Sequence, residues 1–107
     1  MDRAVKAARM ADQIRDNMAV WTHQEMPGYI FSISQATLSL DLSEAFVWVE
    51  VFDQAKQKEV LQKLNAKRHI FQRKLNAFPG KLALVKIRFR LDDSADLQKR
   101  FDDLLKP

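Results

Sequence analysis

The basic residues of this chain are concentrated in one stretch of the sequence. Residues 60–91 hold nine basic and no acidic residues, a net charge of +9, although the whole chain carries only +4. Because uncompensated cations repel one another, this density favours a surface that binds a polyanion, most commonly nucleic acid. A solvated basic face that only aids solubility is the alternative, and charge alone does not separate RNA, DNA and anionic lipid. The nine cations are Lys63, Lys67, Arg68, Arg73, Lys74, Lys81, Lys86, Arg88 and Arg90.

The sequence shows no arrangement of residues that predicts catalysis or metal binding. His23 and His69 are 46 residues apart, there is no cysteine, and no carboxylate stands at a suggestive spacing from either histidine. The nucleophile-elbow, P-loop and dinucleotide-binding glycine motifs are absent from the sequence. The paired acids Asp92-Asp93 and Asp102-Asp103 are expected to be surface and capping residues. We therefore expect no enzymatic activity, no metal and no cofactor.

Length and composition predict one globular domain over residues 1–107. The chain is 47% hydrophobic and 30% charged, and a chain of this length buries about two-thirds of its extended-chain surface without a disulfide or metal. The absence of cysteine fits a reducing compartment. The longest uncharged run, residues 26–40, is too polar and too short for a bilayer, which needs about 20 apolar residues. With no apolar signal core at the N-terminus, a cytoplasmic domain that does not enter a membrane is expected.

Hydrophobic periodicity predicts seven elements in the order α-β-β-α-α-β-α. Pro27-Gly28 ends the first helix, and the polar residues 41–44 form a turn in which Asp41 is expected to bond backbone N–H groups two residues on. A kink or break is expected at Asn65-Ala66, because asparagine is a weak helix former. The predicted helices cover residues 2–26, 54–78 and 94–105, and the predicted strands cover 29–40, 45–52 and 82–91.

This order predicts an α+β domain whose helices cover one face of a three-stranded sheet. Alternation in the second strand places Val47, Val49 and Val51 on the buried face and the side chains of Phe46 and Trp48 on the other. Those two aromatic side chains are expected either to be covered, by the closing helix or by each other, or to contact RNA bases or a partner.

Alternation in the third strand leaves a row of three cations on its outer face. Ala83, Val85, Ile87, Phe89 and Leu91 suit the core, whereas the outer face carries Leu82, Leu84, Lys86, Arg88 and Arg90. The whole predicted core comprises Ile14, Met18, Val47, Val49, Val51, Leu61, Leu64, Phe71, Leu75, Ile87 and Phe89.

Two consecutive helices with a basic junction, followed by a strand, resemble a K-homology (KH) RNA-binding domain. The corresponding turn of such domains carries G-x-x-G, but residues 64–68 here read Leu-Asn-Ala-Lys-Arg. Residues 39–49 look like the S-x-D-L-x-x-A-x-V-x-V signature of one KH-like family, ribosome-binding factor A. Weaker matches at Arg9-Met10-Ala11 and at residues 101–105 extend the resemblance over about residues 3–105.

The sequence departs from the pattern of that family in three places. Arg68 stands where the family has the glycine of an A-x-G kink, and the connection at Pro27-Gly28 is several residues shorter. Val85 stands where the family often has a proline early in the last strand. These departures concern the geometry of the kink rather than the fold.

The resemblance implies a type II KH-like fold and a non-enzymatic factor that binds the small ribosomal subunit and its rRNA late in assembly, in support of rRNA processing. In that interpretation the nine cations contact phosphates, and His69 or an exposed aromatic side chain is a candidate stacking group. Small-subunit ribosomal proteins are further candidate partners, and the factor is expected to be a monomer. The alternative is a protein-interaction module that dimerises or binds a partner through Phe46, Trp48 and Phe52.

Overall fold

The first helix, α1, spans Arg3–Glu25 and packs through one apolar stripe. The computed structural model describes residues 3–93. Met10, Ile14 and Met18 are buried on this stripe, since residues four apart share one face of a helix. After the helix, Gly28 adopts φ +87°, a left-handed conformation that favours glycine.

Two antiparallel strands follow the helix. β1 spans Ser32–Leu38 and β2 spans Glu44–Glu50, with a bulge in β1 between Ile33 and Gln35. Both strands are shorter than the predicted ranges. Residues 29–31 lie outside β1, and the Tyr29 N–H closes the turn after α1 by donating to the Met26 carbonyl at 3.4 Å.

A helical crossover joins β2 to the third strand. A 3₁₀ turn at Gln54–Lys56 leads into α2 (Gln57–Ala66), and α3 (Arg68–Asn76) follows after a break at Lys67. β3 spans Lys86–Leu91 and pairs in parallel with β2, so the sheet order is β1-β2-β3. Parallel neighbours need a crossover of this kind because a tight hairpin turn reverses the chain.

The core lies between the three helices and the inner face of the sheet. Val47 and Val49 of β2 are buried there with Ile14 of α1, and the Phe71 ring of α3 meets the Phe89 ring of β3 edge-on at 5.9 Å between centroids. The predicted α+β architecture and core are confirmed, with Leu61 only partly buried. The buried members are Ile14, Met18, Val47, Val49, Val51, Leu64, Phe71, Leu75, Ile87 and Phe89.

The predicted strand over residues 82–91 is wrong over its first four residues. Gly80, with φ +75°, begins a 3₁₀ helix at Gly80–Leu84. Because a 3₁₀ helix has three residues per turn, Leu82 and the following Val85 fall on the same side of this helix. Leu82 is therefore buried, although strand alternation placed it on the outer face. The break between α2 and α3 falls one residue beyond the predicted Asn65-Ala66, and the predicted closing helix at 94–105 lies outside the described residues.

A serine–aspartate cluster holds the β1–β2 turn. The Asp41 Oδ1 atom accepts hydrogen bonds from the hydroxyls of Ser39 (2.8 Å) and Ser43 (2.7 Å) and from the Ser43 backbone N–H (3.1 Å). These bonds hold Leu42 at φ +61°, which is unfavourable for a leucine. Hydrogen bonds from Ser43 and then Ser39 lower the pKa of Asp41 from 3.8 to about 2. The predicted hydrogen bond between Asp41 and a backbone N–H two residues on is confirmed.

Truncation of a buried leucine tests the core. Leu75 is fully buried, so we expect Leu75→Ala to lower the free energy of unfolding by about 2–5 kcal/mol through lost contacts and a residual cavity. Leu84→Ala, at a side chain that is 77% exposed, is the matched control and should stay within about 0.5 kcal/mol of the parent. Urea denaturation measures both, and similar losses in the two variants would contradict the assignment.

The pH dependence of stability tests the charge of Asp41. Its folded pKa of about 2 lies below the ordinary 3.8, so the carboxylate stabilises the fold above about pH 4 and loses this contribution as the pH falls toward 2. We expect Asp41→Asn to lower the free energy of unfolding at pH 7, and its difference from the parent to shrink between pH 4 and 2. Denaturation curves at several pH values measure this, with the exposed Asp12→Asn as control. A difference that is constant with pH would mean that the charge is not responsible.

Candidate nucleic-acid interface

Three of the nine predicted phosphate-contacting cations line one cleft. The cleft has a volume of about 660 Å³ and lies between α3 and β3, the edge strand of the sheet. Arg68 begins α3 on one wall, whereas Lys86 and Arg88 stand two residues apart on β3 and share a face of the sheet. Cations on both walls suit the cleft to an anionic chain that passes between them.

The side chain of Gln72 joins the two walls of the cleft. Its amide nitrogen donates to the Val85 carbonyl at 2.8 Å, and its amide oxygen accepts from the Ile87 backbone N–H at 2.9 Å. The amide thus satisfies edge groups of the chain that a neighbouring strand would otherwise bond. Arg68 lies one helical turn before Gln72, and Lys86 lies between the two bonded residues, so the contact aligns the backbone of α3 with that of β3 at these two cations.

Three amide side chains and one imidazole also line the cleft. Asn65, His69 and Asn76 lie there with Gln72, and His69 is exposed, so its ring is available for hydrogen bonding or stacking. The three amide residues were not predicted as part of the site. For Gln72 and Asn76 the signal in the sequence is the spacing of four that puts them on the same face of α3 as Arg68.

Lys67 holds the helix junction against the end of α1. Its Nζ donates to the Glu25 carbonyl at 2.9 Å and lies 3.9 Å from Glu25 Oε2. An ammonium group is favourable there because the C-terminal end of a helix carries partial negative charge. The structure therefore holds the Lys67 side chain, which is 39% exposed, against α1.

The junction between α2 and α3 does not need a glycine. Lys67 adopts φ −98° and ψ 4°, a bridge conformation that is open to residues with side chains, and Arg68 already belongs to α3. Neither residue has a positive φ. The arginine in place of the family's kink glycine therefore fits the bend without backbone strain.

Two lysines of the basic segment lie over aromatic rings. Lys63 Nζ is 5.3 Å from the centroid of the Tyr29 ring, and Lys74 Nζ is 5.8 Å from that of Trp21. Both residues are exposed, as is Arg73 on α3. Cation–π contacts at exposed sites are worth only about 0.5–1 kcal/mol, so they leave these cations available to an anion.

Arg88, Arg90 and Lys81 make further contacts on or near the sheet. Arg88 Nη2 is 3.7 Å from Glu44 Oε1, and the Arg90 guanidinium lies 5.5 Å from the centroid of the Phe46 ring on the outer face. Lys81 lines a separate hollow beside the β1–β2 turn. The structure thus concentrates part of the predicted site in the cleft and distributes the rest around it.

Among residues 3–93, no cluster of three or more His, Cys, Asp or Glu side chains is arranged to hold a metal ion. Over the same residues, no helix combines the length and apolar character that a membrane span requires.

The element order and sheet topology define a KH-like domain. The crystal structure of ribosome-binding factor A from Thermus thermophilus is similar, with a TM-score of 0.61 at 20% identity, and the match covers 79% of this chain and 94% of that one. This likeness confirms the predicted fold.

Sequence comparison identifies the family within that class. Ribosome-binding factor A of Akkermansia muciniphila is 34% identical over 89 residues, a match that covers 77% of this chain and 69% of that protein. The sequence model of the ribosome-binding factor A family matches residues 6–105. The chain therefore belongs to the ribosome-binding factor A family, and the resemblance noted in the sequence is confirmed.

Removal of the Gln72 amide tests its role in joining α3 to β3. We expect Gln72→Ala to lower the free energy of unfolding by about 1–3 kcal/mol, because the variant leaves a backbone carbonyl and N–H without their partner. Gln62→Ala, at an exposed position of α2, is the control and should change stability by less than about 0.5 kcal/mol. Chemical denaturation measures both, and equal effects would show that the Gln72 contact is dispensable.

Proposed function

We propose that this protein is a non-enzymatic maturation factor that binds the small ribosomal subunit and its rRNA during late assembly. Membership of the ribosome-binding factor A family supports a ribosomal partner. The cleft between α3 and β3 supports rRNA as the part of the subunit that this protein contacts. Arg68 lies on one wall of the cleft, and Lys86 and Arg88 lie on the other. No arrangement of described side chains supports a catalytic alternative.

Phosphate contacts in the cleft would position the protein without reading sequence. A glycine clamp lets the backbone approach a nucleotide closely, whereas Arg68 keeps the backbone away and reaches out with a long side chain. Binding would therefore be electrostatic, weakly selective for sequence and dependent on the shape of the rRNA. The exposed Lys63, Arg73, Lys74 and Lys81 would add to the attraction around the cleft.

The cellular setting follows from the same proposal. The factor would act in the cytoplasm as a monomer, in support of rRNA processing, with small-subunit ribosomal proteins as additional contacts. Sedimentation of a cell lysate tests the subunit directly: we expect the protein to comigrate with free small subunits. Migration with large subunits alone, or at the top of the gradient, would overturn the proposal.

The salt dependence of binding tests the cleft. If about five cations meet phosphates, log K for small-subunit rRNA should fall against log salt with a slope of roughly −3.5 to −4.5, at about 0.7–0.9 per contact. We expect Arg68→Gln combined with Lys86→Gln to flatten that slope by roughly 1.4–1.8, which is two contacts, and to weaken binding at low salt. Lys67 is left unchanged because its contact with Glu25 would confound the result.

A charge change outside the basic segment is the matched control for this variant. Lys58→Gln removes an exposed cation at the start of α2 and should leave the slope within about half a contact of the parent. Thermal unfolding confirms that each variant is folded before binding is measured. A folded double variant with the parent's slope and affinity would rule out the cleft as the rRNA contact.

A further inference from the structure

The outer face of the sheet carries two aromatic side chains side by side on its central strand. Phe46 and Trp48 alternate with the buried Val47 and Val49, so their side chains project away from the core. Within residues 3–93, α1, α2 and α3 all pack against the inner face. Both aromatic residues remain partly exposed on the opposite face.

The neighbouring strands hold these two rings in place. The indole Nε1 of Trp48 donates to the Thr37 hydroxyl on β1 at 3.0 Å. On the other side, the guanidinium of Arg90 on β3 lies 5.5 Å from the centroid of the Phe46 ring, and register pairs Arg88 with Phe46 and Arg90 with Trp48. Each ring is thus flanked by an arginine, and the tryptophan ring is also fixed by a hydrogen bond.

We propose that this outer face binds single-stranded RNA by stacking unpaired bases on Phe46 and Trp48, while Arg88 and Arg90 meet the adjacent phosphates. Residues two apart on a strand are separated by about 6.6 Å, so each ring can take its own base. Aromatic side chains stack on any base, and an arginine plane can add to the stack. The identity of the nucleic acid as RNA rests on the proposed function.

Continuity with the cleft favours RNA as the occupant. Lys86 and Arg88 belong to both surfaces, since they line the cleft and also project from the outer face of β3. An RNA strand whose phosphates lie in the cleft can therefore cross the edge of β3 and place its next nucleotides over Phe46 and Trp48. From the cleft outward, the cations of β3 come first and the rings of β2 come next, which is the order that such a path requires.

The polar surroundings of the rings also disfavour a protein partner. Gln35 and Thr37 border the rings on β1, and Glu44 lies 3.7 Å from Arg88 at one end of the face. The centre of a stable dimer interface is more apolar and depleted of charge. Two rings between polar and cationic side chains suit nucleotides better than a second protein surface.

Binding to two RNA probes tests the proposal. The probes are an unpaired oligonucleotide of eight nucleotides and a fully paired hairpin of similar charge. We expect Trp48→Leu to weaken binding of the unpaired probe by at least about fivefold, the lower limit for loss of one stacked base, and to leave the paired probe within about twofold. Trp48→Phe, which restores an aromatic ring, should recover most of the affinity.

A second exposed aromatic residue supplies the matched control. Phe52 is 68% exposed and lies past the end of β2 beside Glu50, Asp92 and Asp93, where acidic groups disfavour RNA. Phe52→Leu should leave both affinities unchanged. Fluorescence supplies an independent measurement: in a Trp21→Phe background Trp48 is the one remaining tryptophan, and we expect the unpaired probe to quench it while the paired probe does not.

The outcomes separate this proposal from the proposed function. If the Arg68→Gln, Lys86→Gln variant loses small-subunit rRNA but Trp48→Leu binds unpaired RNA as the parent does, the stacking face is wrong and the cleft stands. If neither variant loses affinity, both fail. If the parent is a dimer by light scattering and Trp48→Leu is a monomer with unchanged RNA affinity, the face is a self-association surface. Should Trp48→Leu not fold, absence of quenching in the Trp21→Phe protein would overturn the proposal by itself.

Discussion

The parallel pairing of β3 with β2 determines where the helices and the basic residues of this chain are placed. It requires a crossover, and the crossover is built from α2 and α3, which return the chain across the inner face of the sheet. The basic residues 60–91 are most of this crossover together with β3. The same topology that closes the core therefore also brings cations of a helix and of a strand to the two walls of one cleft.

Apolar packing and a pair of hydrogen bonds together fix the position of α3 in that crossover. Buried apolar packing, including the edge-on contact of Phe71 with Phe89, sets how far α3 lies from the sheet. The bidentate bonding of Gln72 to Val85 and Ile87 sets its position along β3. Packing alone is weakly directional, whereas the two hydrogen bonds to backbone groups of Val85 and Ile87 allow only one alignment of α3 along β3. The relative backbone positions of the cleft residues are therefore set by the fold.

Sequence pattern predicted the parts of the fold that depend on repeated spacing. The alternation through Val47, Val49 and Val51 identified the central strand and its buried face. It failed at Leu82 because a glycine with φ +75° starts a 3₁₀ turn there, and residues 82–85 are a continuous apolar run whose pattern does not separate the two conformations. Gln72 was missed for a different reason: its role depends on two backbone groups more than ten residues away, and no local pattern records them.

The net charge of a stretch of sequence shows only part of the charge that the folded surface carries. The first 59 residues carry a net charge of −3, and two of their acids reach the basic segment in the folded chain, Glu25 at Lys67 and Glu44 at Arg88. A sequence window cannot show this compensation, because each acid lies more than 40 residues from its partner. Some cations of the basic segment, such as Lys67, therefore pair with acidic residues of other elements. Others, such as Lys86, stay exposed at the cleft. Since β3 borders both the cleft and the aromatic outer face, Lys86 and Arg88 stand where the proposed phosphate-binding surface meets the proposed base-stacking surface. A single strand of RNA would match that arrangement, because each nucleotide carries a phosphate in the backbone and a base that projects to one side of it.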